Sequence, residues 1–529
     1  MTKNFSKAGS KVRLGTAAGL LAAALGAAAC GGGAVPPAAA PSGAGGAAGT
    51  PGSADGRGTG RRGGPGAPGA DPFALPDGPR DDDPVMPPAP PLRFDAWERA
   101  AKAKGIVPPP PSCSTFARSG TAGSGSPVET VRAAESAPVA CADVIVDPLL
   151  SNAGKRGALA AEVAHALVGH SLAARLSRTA RTAPSMAGLA DKEKVKAFIA
   201  GPLRTWMVEQ ASAIEALSAG ATGLVGYGRG VAALEAGIAE MRLVDEMRSA
   251  PVPASWDPEL RAVYEASLDE ALEPRKRRGR DAALVGMSDF ARVGIVRDGR
   301  LDRARALLGK LYGGRRIDAL DALLVPLPAS KAAPGGSAWV VAFDPAAVEK
   351  DPFLLASGIP QSTRAAFRAG RAAGTVSPSA YARARFDMGR VYWRRIDFVE
   401  AAYAAKASPA PEDRLVLAVA LALVHGPNGA AEMMRAPSPA ALDTKHTEAL
   451  DALVEEHGPL SGVAAFDAAH LRALCPPDGA DAPAYLRDVA ARFRRAEALL
   501  ADPAQKKAAA ERAAEVEAVA AAAEKRSSS

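Results

Sequence analysis

From about residue 155 onward, apolar residues recur three and four positions apart, the spacing that lines them up along one side of an α-helix. Ala158 to Leu176 is one such run, preceded by Gly154, and Asp191 opens another through Phe198. Gly201-Pro202 is expected to break that run, because proline lacks the N–H a helix interior needs; Leu203 to Leu217 resumes the pattern. Gly226-Tyr227-Gly228-Arg229-Gly230 reads as a turn between helices. Leu234, Ile238, Met241, Leu243 and Val244 then make one apolar stripe within Val231 to Met247, stopped by Pro251 and Pro253. Asp257-Pro258 opens the next helix, with a capping oxygen followed by a ring preset for the first turn. Tyr264, Leu268 and Ala271 lie on one side of it, and Pro274 is expected to end it. Ser337 to Phe343 predicts a short strand or buried extended loop between two helical blocks. Pro503 to Lys525 predicts an alanine-rich solvated or capping helix before a short serine tail.

The first quarter of the chain is patterned differently. Four cations, Lys3, Lys7, Lys11 and Arg13, precede an apolar run from Leu14 to Leu25, and small residues from Gly26 to Ala29 lead into Cys30. That is the layout of a secretion leader, too short to be a membrane span. Residues 31 to about 92 are dominated by glycine, proline and alanine, with almost nothing large and apolar to offset ordering entropy. A flexible coil of about 60 residues would span roughly 40 Å. A short amphipathic piece follows around Phe94 and Trp97, then more loop through Pro108 to Pro111. The resulting division is a leader over 1–29, a tether over 30–112 and a loop-rich segment over 113–154. Helical blocks over 155–325 and 361–525 follow, separated by an irregular stretch over 326–360, with a tail over 526–529.

Composition narrows the picture. Nearly half of the 529 residues are hydrophobic, yet aromatics are only 5%, which favours helices packed through small side chains. The formal charge is +7, and the four leader cations account for more than half of it, so the remainder is near +3. A general attraction to nucleic acid has little support in such a balance. The cysteines are Cys30, Cys113, Cys141 and Cys475, none spaced as metal ligands. In an oxidising compartment Cys113 and Cys141 can close one loop, worth about 3–4 kcal/mol by chain entropy; three unpaired thiols are the alternative.

A cysteine at the end of such a leader resembles the lipobox of bacterial lipoproteins. The resemblance implies cleavage before Cys30, a diacylglycerol thioether on it and an acylated amino terminus, so that the protein meets the membrane through its N-terminal lipid. Such boxes usually carry leucine where this chain has Ala27. Gly31, with no aspartate after the cysteine, resembles lipoproteins sorted to the outer membrane, facing the periplasm.

Met388, Gly389, Tyr392, Phe398 and Ala401 carry a second resemblance. A glycine lets two helices approach, Tyr392 fills the space one turn on, Phe398 opens the next helix and Ala401 sits at the crossing. Their relative spacing is similar to that of tetratricopeptide repeats. The chain departs afterwards, with Ala405 where a large apolar residue belongs and Pro409 or Pro411 closing early. Weaker echoes lie at Gly299 to Leu308 and at Ala491, Ala498 and Pro503. The stretch Asp257 to Leu311 also resembles helical-repeat lipoproteins of myxobacterial envelopes, which implies a gliding-motility or cell-envelope assembly as host. The fold expected is all-α, a helical-hairpin, tetratricopeptide-like array behind the tether.

Several segments carry the residue types of chemistry. Gly169-His170-Ser171 resembles the nucleophile elbow of α/β-hydrolases, with Ser171 as nucleophile, but its surroundings are helix-forming and Ala173 replaces the second glycine. Glu162 and His165 share a helix face as di-iron ligands do, without the second such pair a site needs. His425, His446, His457 and His470 are scattered. No metal and no cofactor is expected. Arg275, Lys276, Arg277 and Arg278, continuing to Arg280, form the dense basic run, behind Glu265, Asp269, Glu270 and Glu273. They are read either as a locally paired helix junction or as a contact for anionic lipid or an acidic partner. Tyr392, Trp393 and Arg394 are candidates to line a binding groove. The function expected is a non-catalytic envelope scaffold or adaptor; a Ser171 hydrolase and a cell-wall or anionic-lipid binder are the alternatives.

Overall fold

The computed structural model describes residues 89–116, 126–189, 192–293, 295–312, 319–326, 338–339, 377–392, 394–425, 444–474, 476, and 481–527. Cys30, the leader, the tether up to residue 88, Trp393, Cys475 and most of 326–360 lie outside them.

Among the described residues the protein is all-α apart from one two-stranded ribbon. Helix α1 is Asp95–Ala101, α2 Pro127–Ser136, α3 Ala142–Leu150, α4 Ala153–Gly157 and α5 Ala161–Ser177. Helix α6 (Lys192–Phe198) runs through a π turn at Ile199–Leu203 into α7 (Arg204–Gly220). Gly201-Pro202 therefore does not break the helix: the wider turn absorbs the missing donor of Pro202. Helix α8 is Gly226–Ser249 and α9 Pro258–Val293. Pro274 lies inside α9 and does not end it. Helix α10 is Gly299–Leu311, and a 3₁₀ turn covers Ala319–Ala322. The remaining helices are α11 (Pro378–Tyr392), α12 (Arg395–Lys406), α13 (Pro411–His425), α14 (Thr444–Glu455), α15 (Ser461–Leu474), α16 (Ala482–Leu499) and α17 (Pro503–Ser527). Strand β1 (Ile295–Arg297) pairs antiparallel with β2 (Ala338–Trp339), Ile295 opposite Trp339. The strand expected at Ser337 to Phe343 is thus described at two residues, against a partner the sequence did not suggest.

The first half is a bundle around α8, which packs against α5, α7, α9 and α10. A helix enclosed on that many sides must be small-faced. Gly226 to Gly230 forms its first turn and not a loop between helices. A Cβ on Gly228 would stand 2.1 Å from the His165 carbonyl oxygen, and one on Gly169 would stand 2.4 Å from the Gly228 oxygen. The α5–α8 crossing therefore admits only glycine at both places. On its other side, a Cβ on Gly237 would meet the Ala283 nitrogen of α9 at 2.6 Å. Close backbones replace bulky side chains, as the aromatic-poor composition requires.

The second half is a run of consecutive hairpins: α11 on α12, α12 on α13, α14 on α15, α15 on α16 and α16 on α17. Phe386 meets Phe398 edge-on with centroids 5.6 Å apart, and Phe466 meets Phe493 at 5.4 Å. The two halves are joined by the turn at 319–322 and the residues after it. Asp321 pairs with Arg305 of α10 at 2.9 Å and Arg390 of α11 at 2.6 Å. The Leu324 N–H donates to Asp467 of α15 at 2.7 Å, and His470 donates Nε2–H to the Ala319 carbonyl at 2.7 Å.

Candidate functional site

A set of long-range polar contacts lies where residues 89–113 cross the first half. These residues were assigned to the tether through 112; they dock on the helical body instead, because Trp97 and Ala100 bury against α5 and α7. The strap runs alongside α5 in the same direction and is held at three levels. His165 donates Nε2–H to the Pro90 carbonyl at 2.9 Å, while its Nδ1 accepts the Val225 N–H at 3.4 Å. Two turns on, the Trp97 indole N–H donates to Ser171 Oγ at 2.8 Å. Near the C-terminus of α5, Arg178 donates to the Val107 carbonyl at 2.8 Å and pairs with Asp143 at 2.6 Å. Phe94 lies under the Arg156 guanidinium, 4.8 Å from its centroid, and Glu98 pairs with Arg156 at 2.6 Å. A disulfide joins Cys113 to Cys141, with Cα atoms 5.1 Å apart, and closes the strap onto the turn that opens α3.

Ser171 is the hub of this seat. Its hydroxyl accepts from Trp97 and from Arg175 (2.8 Å) and donates to Asp147 (2.7 Å), which uses its one donor and both acceptor positions. No histidine is among these partners. The segment that resembles a nucleophile elbow is the interior of α5, where Ser171 is 0% exposed and no strand precedes it. His165 and His170, five residues apart on α5, face different groups: His170 Nε2 lies 3.3 Å from the Tyr227 hydroxyl. Among the described residues no group of three His, Cys, Asp or Glu side chains is placed to hold a metal.

Tyr227 donates to Glu135 and stacks on Phe290 with centroids 5.9 Å apart. Burial pushes the Glu135 carboxyl up to about 7, against the Tyr227 hydrogen bond and Arg300. Burial holds His170 down to about 3, so it stays neutral. Arg300 keeps its charge against burial because Asp298 grips it with two hydrogen bonds, at 3.0 and 2.6 Å. In the other half, burial raises Asp467 to about 8 despite the backbone N–H groups of Leu324 and Val325.

The basic run does not form one exposed patch. Arg275 is 5% exposed and pairs with Glu240 at 2.9 Å; Arg278 reaches the same carboxylate at 3.4 Å. Lys276 sits 4.6 Å from the Tyr312 ring centroid, and Arg277 pairs with Glu273 one turn back on α9. Each cation has a partner within the fold.

At the repeat motif, a Cβ on Gly389 would lie 2.7 Å from the Phe398 ring, so this glycine lets α12 close on α11. Met388 and Ala401 are fully buried beside it. Tyr392 is 3% exposed and donates its hydroxyl to the Ile295 carbonyl of β1. It is an internal anchor, and not the groove-lining residue expected, because its ring packs into the junction between halves. Arg394 pairs with the fully buried Asp397 at 3.2 Å, and Trp393 lies outside the described residues. Arg385 also approaches Asp397 to 2.9 Å, yet neither Asp397 oxygen has a well-directed hydrogen bond. The attraction there is Coulombic proximity more than directed bonding.

Sequence reading missed the strap, the Ser171 hub and the Asp467 latch. Trp97 inside an amphipathic stretch, followed by a cysteine able to pair, was the available signal for the first. No protein-family model matches the chain, and neither a curated protein nor a solved structure matches it.

Proposed function

We propose that this protein is a lipid-anchored, non-catalytic scaffold or adaptor of a bacterial cell envelope, held at the outer membrane by Cys30 and facing the periplasm. The observation that carries the reading is the order of parts along the chain. A basic, apolar and small-residue leader ends at Cys30, a Gly/Pro/Ala-rich stretch follows, and an all-α body of helical hairpins comes last. Hairpin arrays bind partners through extended surfaces and need no catalytic constellation. A disulfide joining Cys113 and Cys141 suits an exported protein. Among the described residues no helix is long and apolar enough to cross a membrane.

Replacing Cys30 with serine should give a form without acyl mass that leaves the membrane fraction. A mutant that still fractionates wholly with membranes and keeps its acyl mass would overturn the anchor. Crosslinking of the intact protein in cells, read by mass spectrometry, should recover a small reproducible set of envelope proteins. Recovery of lipid and abundant bystanders alone would remove the scaffold reading.

A further inference from the structure

The strap over residues 89–112 has an uneven attachment. Its one α-helix, α1, has seven residues; Ile106 to Pro110 carries no regular structure, with four prolines in a row from Pro108, and a 3₁₀ turn at Pro111–Cys113 ends it. Its backbone makes few hydrogen bonds to the body, so its hold rests on side chains: His165 on Pro90, Trp97 on Ser171, Arg156 on Phe94 and Glu98, and Arg178 on Val107. The contacts of His165, Ser171 and Arg178 follow one another along α5 in the order of the chain, and Arg156 of α4 holds Phe94 and Glu98 on either side of Trp97. A pull on residue 89 therefore meets them one at a time, as a peel, and not all at once. The peel ends at a covalent bond, because Cys113 is joined to Cys141. The helices beneath are of another kind, with α8 buried against four neighbours through backbone-to-backbone approaches.

We propose that residues 89–112 peel from the helical body and re-seat on it while that body stays folded, and that the Cys113–Cys141 disulfide sets the limit of opening. Open, these 24 residues reach about 80 Å at roughly 3.3–3.6 Å per residue, against the roughly 20 Å of helix that separates His165 from Arg178 when the strap is seated. The link between anchor and body is then extensible, with a fixed stop. The opening itself depends only on the contacts above; that the load comes from a membrane rests on the lipid-anchor reading. Local opening at a lower free energy than global unfolding is the expected behaviour of a peripheral segment anchored by a few buried side chains, here Trp97 and Ala100, over helices enclosed on several sides.

Hydrogen exchange of the full chain with the disulfide intact tests this. Amides of α1 should exchange at least a hundredfold faster than those of α8. Trp97→Ala should accelerate α1 at least tenfold further and leave α8 within twofold. With the disulfide intact, α2 should keep its protection, and Cys113→Ser should let the opening spread into α2. Exchange of α1 as slow as that of α8, equal acceleration of both by Trp97→Ala, loss of α2 protection with the disulfide intact, or no spread in Cys113→Ser would each overturn the proposal. None of these readouts involves Cys30, so failure of the anchor would appear separately, in fractionation of Cys30→Ser.

Discussion

Glu135 and Asp467 lie in opposite halves, and burial gives them the same thermodynamic signature. A carboxyl whose folded value lies above its unfolded one holds its proton longer in the native state. The stability linked to it is fully present below the unfolded value and is lost as pH rises through the folded one. For Glu135 that loss runs from about 4.5 to about 7, and for Asp467 from about 3.8 to about 8. Urea unfolding at pH 5 and pH 8 should therefore show wild type losing more stability with rising pH than Glu135→Gln or Asp467→Asn. Equal slopes in all three would show that neither carboxyl is raised. Glycine is the other residue whose role is local and strict. Gly228→Ala must push the α5–α8 backbones apart, at about 2–4 kcal/mol; Gly389→Ala meets a ring that can shift, at about 1–2 kcal/mol. Thermal melts of the two variants check the order. Of these residues only Gly389 was legible in advance, because a recognisable spacing surrounded it. Gly228 looked like part of a turn, since three glycines in five residues signal loops unless another helix needs their bare faces.

At the scale of elements, two prolines and a basic run behave differently from their local preferences. Pro202 and Pro274 each sit in a continuous helix, one through a π turn and the other within the 36 residues of α9. Tertiary packing on either side outweighs the loss of one backbone bond. The cations that follow Pro274 divide by burial. Arg275→Ala leaves Glu240 poorly compensated in the interior and should cost about 2–4 kcal/mol. Arg277 keeps its side chain 65% exposed beside Glu273, so Arg277→Ala should change stability by less than about 0.5 kcal/mol. Equal effects in chemical denaturation would mean that the buried pair contributes nothing beyond a surface one. A run that is uniform in sequence is thus divided by which way each side chain points along the helix, and by what α8 offers it.

At the scale of the molecule, two packing plans share one chain. The first half closes around α8, whereas the second proceeds hairpin by hairpin, and the junction adds polar contacts to buried apolar ones such as Leu320 and Ile295: Asp321 between Arg305 and Arg390, Asp467 on Leu324, and Tyr392 on Ile295. Charge reversal at Asp321 should therefore loosen the halves before it melts either. Limited proteolysis should then cleave near residues 313–337 earlier than in wild type; simultaneous degradation of both halves would show a single cooperative unit.

Periodicity alone determined that this chain is helical, because the apolar spacing along a helix is a local property that survives in any packing. The repeat-like hairpin at Gly389 also belongs here, since its contacts fall within thirteen residues. What tertiary structure decided are the long-range partners. The strap reaches α5 across some seventy residues, Asp467 meets Leu324 across 143, and Tyr392 meets Ile295 across 97. Ser171 became a hydrogen-bond hub, and Tyr392 an anchor, only once those partners arrived. Alanine-rich helices present nearly identical faces to many neighbours, so the choice among them is made by the summed fit of close backbones and buried charges, which no local window contains.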